Sequence, residues 1–191
     1  MDRPSITIIA GAPGSGKTTL VRAVMAQLGP AEPYVHGLIH GHLFPRTSTL
    51  VLGIYDPTEV FAGTDRLSMG VQSSVLPFLK DFTHTHPGWN ILGEGSRILT
   101  HPFFDAALQY GDVALVVLVA DMVLADVRRQ ARSTQNEQWV KGMYSRVIRM
   151  LRDYEYRMPL HLLKSDTQAD LEHNTQLLLM RLLAQHELMT L

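Results

Sequence analysis

The 191-residue chain is 46% hydrophobic and 18% charged, the proportions of a folded globular protein rather than a disordered one, and its size suits a single domain over 1–191. It has no cysteine, which excludes disulfides and thiolate metal sites, and its net charge of −1 supplies no global field for a polyanion. The opening MDRPSITIIAGAPGSGK lacks a basic leader and a long apolar core, so neither signal peptide nor membrane anchor is expected, and the protein is expected to be cytoplasmic.

Ser5 to Ala10 is a β-branched run ending at glycine, as a buried parallel strand would. Thr18 to Leu28 places Leu20, Val21, Val24, Met25 and Leu28 at helical spacing and stops at Gly29-Pro30. YVHGLIHGHLF and TLVLGIY read as two strands around a PRTS turn. Val71 to Lys80 can be helical, with Pro77 disturbing its end, and THTHPGW reads as a loop before the short strand NILGEG. Thr100 with Pro102 opens a helix that runs through Tyr110 and closes at Gly111. VALVVLVA is apolar on both faces and reads as a central strand. Helices are expected over 121–132 and 136–156, then a strand in MPLHLLKSD and a closing helix over 168–188. This alternation predicts an α/β fold of three layers, a mainly parallel sheet with helices on both faces.

Gly11-Ala12-Pro13-Gly14-Ser15-Gly16-Lys17-Thr18 matches G-x-x-x-x-G-K-[ST] in full, after a strand and before a helix. Glycines let backbone N–H groups turn inward around phosphates, and the helix N-terminus adds positive potential. Ala12 to Thr19 are therefore the expected nucleotide-binding residues. Lys17 would reach the β- and γ-phosphates, and the Thr18 hydroxyl could ligate Mg²⁺. No Asp is followed by Gly three residues later, so the D-x-x-G of a GTPase is missing. LLKSD offers K-x-D after a strand, but Leu163 stands where guanine recognition would want Asn or Thr. NILGEG ends in the single acid Glu94 rather than the paired acids of a helicase or motor. What remains is the layout of a small kinase.

Over nearly its whole length the chain resembles a P-loop kinase of the nucleoside/nucleotide kinase type. GIYDPTEVFAGTDRLSMGVQ and ILGEGSRIL further resemble small P-loop kinases encoded by bacteriophages. That resemblance implies ATP and Mg²⁺ as cofactors. It also implies an acceptor that is a nucleic-acid component, some kinases of the phage group being implied to phosphorylate 5-hydroxymethyluracil in DNA. A free nucleoside or nucleotide is the alternative acceptor, and a regulatory NTPase with no acceptor is the alternative class. A phage-encoded kinase would act in the host cytoplasm.

Phosphoryl transfer asks the protein for positioning and charge neutralisation, which assigns roles to the remaining residues. Glu94 is placed to hold Mg²⁺ or its waters, and Arg97 to touch substrate or phosphate. Asp65 is the candidate base for the attacking hydroxyl, with Arg66 beside it on the substrate. Asp56 competes for that role, although Asp-Pro also fits a plain turn. Arg128 and Arg132 lie four apart on one helix face, with Arg129 adjacent, and are expected in a lid around 121–140. Residues 121–164 carry nine Lys/Arg against five Asp/Glu, so Arg146, Arg149 and Arg152 could track a DNA backbone. The histidine pairs His40/His42 and His84/His86 lack a third ligand in sequence. Trp89, Phe44 and Tyr55 are the aromatic candidates for base stacking, against the commoner role of packing.

Overall fold

The structure is a computed structural model, and it describes residues 3–56, 58, 61–132 and 136–187. Among the described residues seven strands form one sheet in the order β2-β3-β4-β5-β1-β6-β7. β1 (Ser5–Gly11) lies between β5 (Asn90–Glu94) and β6 (Asp112–Val119), parallel to both. β4 (Thr49–Leu52) continues the parallel set beside β5, and β7 (Leu160–Lys164) closes it beside β6. β2 (Glu32–His36) and β3 (Ile39–Phe44) form an antiparallel hairpin against β4.

Alternation along the strands divides the core. Ile6, Ile8 and Ala10 of β1, with Leu50, Leu52, Ile91, Leu115 and Val117, face α2 (Gln72–Thr85), α3 (His101–Tyr110) and α5 (Glu137–Tyr154). Ile9, Val51, Leu92, Val116 and Leu118 face α1 (Lys17–Leu28) and α6 (Gln168–Glu187). The three-layer architecture expected from the sequence is therefore present. α4 (Met122–Arg132) belongs to neither cluster; it buries Ala125 and leaves Met122, Val123 and Val127 exposed.

Three local expectations need correction. YVHGLIHGHLF is not one strand, because Gly37 takes a positive φ of 58° and reverses the chain between His36 and Ile39. α2 runs past Lys80 to Thr85, with Pro77 inside it and THTHPGW partly helical. Pro77 removes one intrahelical bond, but Val75, Phe78, Leu79 and Phe82 bury a continuous stripe that holds the helix together. β6 is interior but one strand from the edge, while β5 takes the middle position.

Parallel strands carry their C-terminal ends to the same sheet edge. That edge gathers the loop after β1, Glu94 at the end of β5, and the loops after β4, β6 and β7.

Candidate active site

The loop from Gly11 to Gly16 leaves β1 and enters α1 at Lys17 with Gly14 and Gly16 in the left-handed region, φ 84° and 88°. A Cβ on Gly14 would collide with the Ala125 carbonyl oxygen, so glycine here also lets α4 lie directly on the loop. Lys17 Nζ donates to the carbonyls of Gly11 (3.0 Å) and Ala12 (2.9 Å), arching over the loop. Ser15 N–H donates to Ala12 O, and Ser15 O accepts from Ser165 Oγ at 2.7 Å. The Thr18 hydroxyl donates to Glu94 Oε1 at 3.0 Å, which brings together two hard oxygen ligands that could hold a divalent cation of the Mg²⁺ kind.

Glu94 is 1% exposed, and the segment 61–66 encloses it. Ile54 and Gly63 exchange backbone hydrogen bonds of 3.1 and 2.8 Å, which fix Gly63 beside the end of β4. Gly63, at φ 77°, presses its Cα onto the Glu94 carboxylate, where any Cβ would meet Oε1. A 3-10 turn over Thr64–Arg66 follows; Thr64 Oγ1 donates to Glu94 O at 2.7 Å. Asp65 Oδ1 accepts from Ser96 N (2.6 Å) and Ser96 Oγ (2.7 Å). Tyr55 lies against the same carboxylate. Burial, and then the negative charges of Glu94 and Asp65, push its hydroxyl well above the ordinary phenol range.

Two cavities flank the loop and share Gly14 and Thr18. The first, about 650 Å³, is lined by Lys17, Glu94, Asp65, Arg66, Arg97 and Arg129 on its polar side and by Phe61, Ala62, Trp139 and Met143 on its apolar side. The second, about 660 Å³, lies over the start of α1 and is lined by Thr19, Arg22, Arg128, Ser165, Thr167 and Gln168 among others.

The expected site residues therefore fall into distinct places. Lys17, Thr18, Glu94, Asp65, Arg66 and Arg97 come together around the first cavity. Arg128 does not join them. Its Nη1 and Nη2 donate to the carbonyls of Ser165 and Asp166, both at 2.7 Å, on the side of the second cavity. Arg129 faces the first cavity instead, with Asp126 ion-paired to its Nη2 at 3.1 Å. The helix turn of about 100° per residue explains the split, since adjacent arginines cannot share a face. The Arg132 side chain and residues 133–135 of the expected lid lie outside the described residues.

Asp56 forms the plain turn. Its Oδ1 accepts from Thr58 N and Oγ1, and those bonds hold its carboxyl below the usual range. Asp166 of LLKSD turns away from the second cavity; its Oδ1 accepts from Asp121 N at 2.7 Å and ties the β7–α6 connection to the start of α4. Arg146 reaches Ser96 O at 3.3 Å, whereas Arg152 pairs with its neighbour Asp153. Of the weighed aromatics, Phe44 is buried, Trp89 packs edge-on against Phe82 and His86, and Tyr55 lies edge-on to His42. Burial lowers the His42 imidazole below its ordinary value. Among the described residues no group of three His, Asp or Glu is placed to hold a metal ion, and no helix is long and apolar enough to cross a membrane.

Asn136 and Trp139 fall within the expected 121–140 lid and Phe61 within the stretch that holds Asp65, but none was expected to line the site by its own side chain, and Met143 lay outside every expected region. Residues 136–143 are far from every motif in sequence and enter only because α5 crosses the sheet edge. Ser165, Thr167 and Gln168 carried a partial signal, the K-x-D after β7.

A family model described as P-loop Nucleotide Kinase3 matches residues 3–160. No curated protein matches the chain. Among solved structures, a gluconokinase from Sinorhizobium meliloti 1021 is 14% identical over 100% of both chains, with a TM-score of 0.50. A shikimate kinase from Acinetobacter baumannii, in complex with shikimate, is 17% identical over 95% of this chain and 94% of its own, with a TM-score of 0.49.

Proposed function

The chain belongs to the P-loop nucleotide kinase family and is a kinase, and from that premise we propose that it transfers the γ-phosphate of ATP to a hydroxyl of a nucleic-acid component, 5-hydroxymethyluracil in phage DNA being the preferred acceptor. The observation that carries the reading is the first cavity. It opens beside Lys17 and Thr18, where a γ-phosphate would lie, and combines three arginines with an apolar aromatic side. Arg66, Arg97 and Arg129 supply positive charge for an acceptor phosphate and for the transferring group.

The P-loop N–H groups and Lys17 hold the phosphates, and Thr18 with Glu94 would hold Mg²⁺ or its waters. The metal, when bound, neutralises phosphate charge as the transfer proceeds. Asp65, with Oδ1 fixed by Ser96, uses its second oxygen to orient the acceptor hydroxyl. The hydroxyl oxygen bonds to the γ-phosphorus, the bond to the bridging β,γ-oxygen breaks, ADP leaves, and the hydroxyl proton passes to Asp65. Arg128 orders the 165–167 connection over the second cavity, which would take the adenosine of ATP.

The net charge of −1 favours a second reading, in which the acceptor is a free nucleoside or nucleotide. One panel separates them: transfer from labelled ATP to free nucleosides, to nucleotides, and to oligonucleotides with and without 5-hydroxymethyluracil. Label entering only modified oligonucleotides, with binding that falls steeply as salt rises, is the expected result. Label entering only free acceptors transfers the assignment to the second reading, and hydrolysis indifferent to every acceptor would make the protein a regulatory NTPase.

A further inference from the structure

Among the described residues, the large side chains that stand exposed by a third or more include Phe61 and Trp139, at 46% and 45%. Both line the first cavity. They come from unrelated parts of the chain, the segment after β4 and the first turn of α5. Met143, one helical turn beyond Trp139, and Ala62, next to Phe61, extend the apolar surface into the cavity, and both are buried. Aromatic rings are ordinarily driven into the core, as Phe44, Phe78, Phe82, Phe103 and Phe104 are here, so two half-exposed rings lining one cavity call for a ligand that covers them.

The polar lining narrows the ligand further. Arg66, Arg97 and Arg129 suit an anion, and Asp65 and Ser96 suit a hydroxyl. A polyol or sugar acid would instead want hydrogen-bonding side chains along its whole length, and it has no flat π-face to set against an indole. We propose that Phe61 and Trp139 are the specificity residues of the acceptor site and that they stack on the planar heteroaromatic ring of a phosphate-bearing nucleotide unit. The proposal rests on reading this cavity as the acceptor site.

Stacking can be read directly, because the chain holds two tryptophans and Trp89 is packed against Phe82 and His86 away from the cavity. In a Trp89→Phe background, Trp139 becomes the sole indole. Titration with thymidine 5′-monophosphate or with an oligothymidylate should quench its emission saturably. Ribose 5-phosphate, which keeps the phosphate and lacks the base, and gluconate should bind at least about tenfold more weakly and without quenching. Phe61→Ala should raise the Kd for the quenching ligand roughly 5- to 100-fold, and Trp139→Ala should do the same when binding is followed by calorimetry. Trp139→Phe, which keeps a ring, should recover most of the affinity and guards against loss through misfolding.

Quenching by the mononucleotide assigns a free unit as sufficient ligand, and quenching by the oligonucleotide alone assigns a strand. Equal affinity for ribose 5-phosphate or gluconate, or unchanged affinity after either alanine substitution, would overturn the proposal. The two readings fail separately. Transfer to a pyrimidine hydroxyl with no quenching removes the stacking pair alone. Affinity that both alanine variants lose, read by quenching for Phe61→Ala and by calorimetry for Trp139→Ala, with no transfer to any nucleic-acid hydroxyl, removes the acceptor reaction and leaves the pair.

Discussion

The P-loop and the cavity beside it are built in opposite ways. The loop is one continuous stretch, Gly11 to Thr18, whose conformation is fixed by its own glycines and by Lys17 bonding back to Gly11 and Ala12. Beyond the loop residues that border it, the first cavity draws its lining from within 61–66, 94–97 and 136–143 and from Arg129, brought together only when the sheet and α5 have formed. A phosphate needs backbone N–H groups in a row, which one short segment can supply. An acceptor needs a shaped hollow with charges on several sides, which no single segment can supply. Phosphate recognition by the loop is therefore local in sequence, whereas each cavity beside it is a property of the fold.

The sharpest test of the local half is Lys17→Ala. The substitution removes the cation nearest the transferring phosphate and also two bonds that arch the loop. Transfer should fall by roughly a hundredfold or more, while the thermal unfolding midpoint shifts by a few degrees at most. Retained turnover in a steady-state assay would detach the loop from catalysis.

Asp65→Asn tests where the two halves meet. Asn can still present Oδ1 to Ser96 N–H and Oγ–H, so the brace around Glu94 survives while the carboxylate charge is lost. As a base, Asp65 would account for about 10²- to 10⁴-fold in kcat with ATP affinity nearly unchanged. Comparable losses in kcat and in ATP affinity, measured by single-turnover kinetics and calorimetry, would make it a positioning residue for Glu94 instead.

The same division explains what the sequence disclosed. The three-layer architecture followed from alternation of apolar runs with helical stripes, and the phosphate-binding loop followed from a motif. Glu94 and Arg97 were singled out because they sit at the end of β5 or just beyond it, and Asp65 and Arg66 because they form a charged pair in the stretch between β4 and α2. Arg128 and Arg129 were not separable, because a one-residue difference in helix phase decides which cavity each faces, and no periodicity in an exposed helix fixes that phase. Gly37 hid the hairpin within a run that looked continuous, and the buried stripe of α2 overrode Pro77. Phe61 and Trp139 carried no local sign of function, since an aromatic residue reads as core until its exposure is known.

Arg128 and Arg129 offer the next contrast. Arg129→Ala should lower kcat by roughly tenfold with a smaller change in the KM for ATP, because its guanidinium lies on the first cavity. Arg128→Ala should do the reverse. It frees the Ser165 and Asp166 carbonyls and loosens the lining of the second cavity, raising the KM for ATP with a smaller effect on kcat. Identical kinetic signatures for the two variants would mean that α4 acts as one cationic element, and the two-cavity division would lose its meaning for this helix.

Ser96→Ala should have the smallest effect and bears most closely on how the segments are joined. Asp65 Oδ1 accepts both from the Ser96 hydroxyl and from its backbone N–H, so alanine removes one bond and leaves the other. A hydrogen bond to a carboxylate is worth about 1.5–3 kcal/mol, but the exposed position and the surviving backbone bond reduce the loss below that range. A two- to fivefold fall in kcat, with the KM for ATP unchanged, is the expected outcome of steady-state kinetics. An unchanged kcat would show that the Ser96 backbone N–H alone holds the Asp65 carboxylate in place.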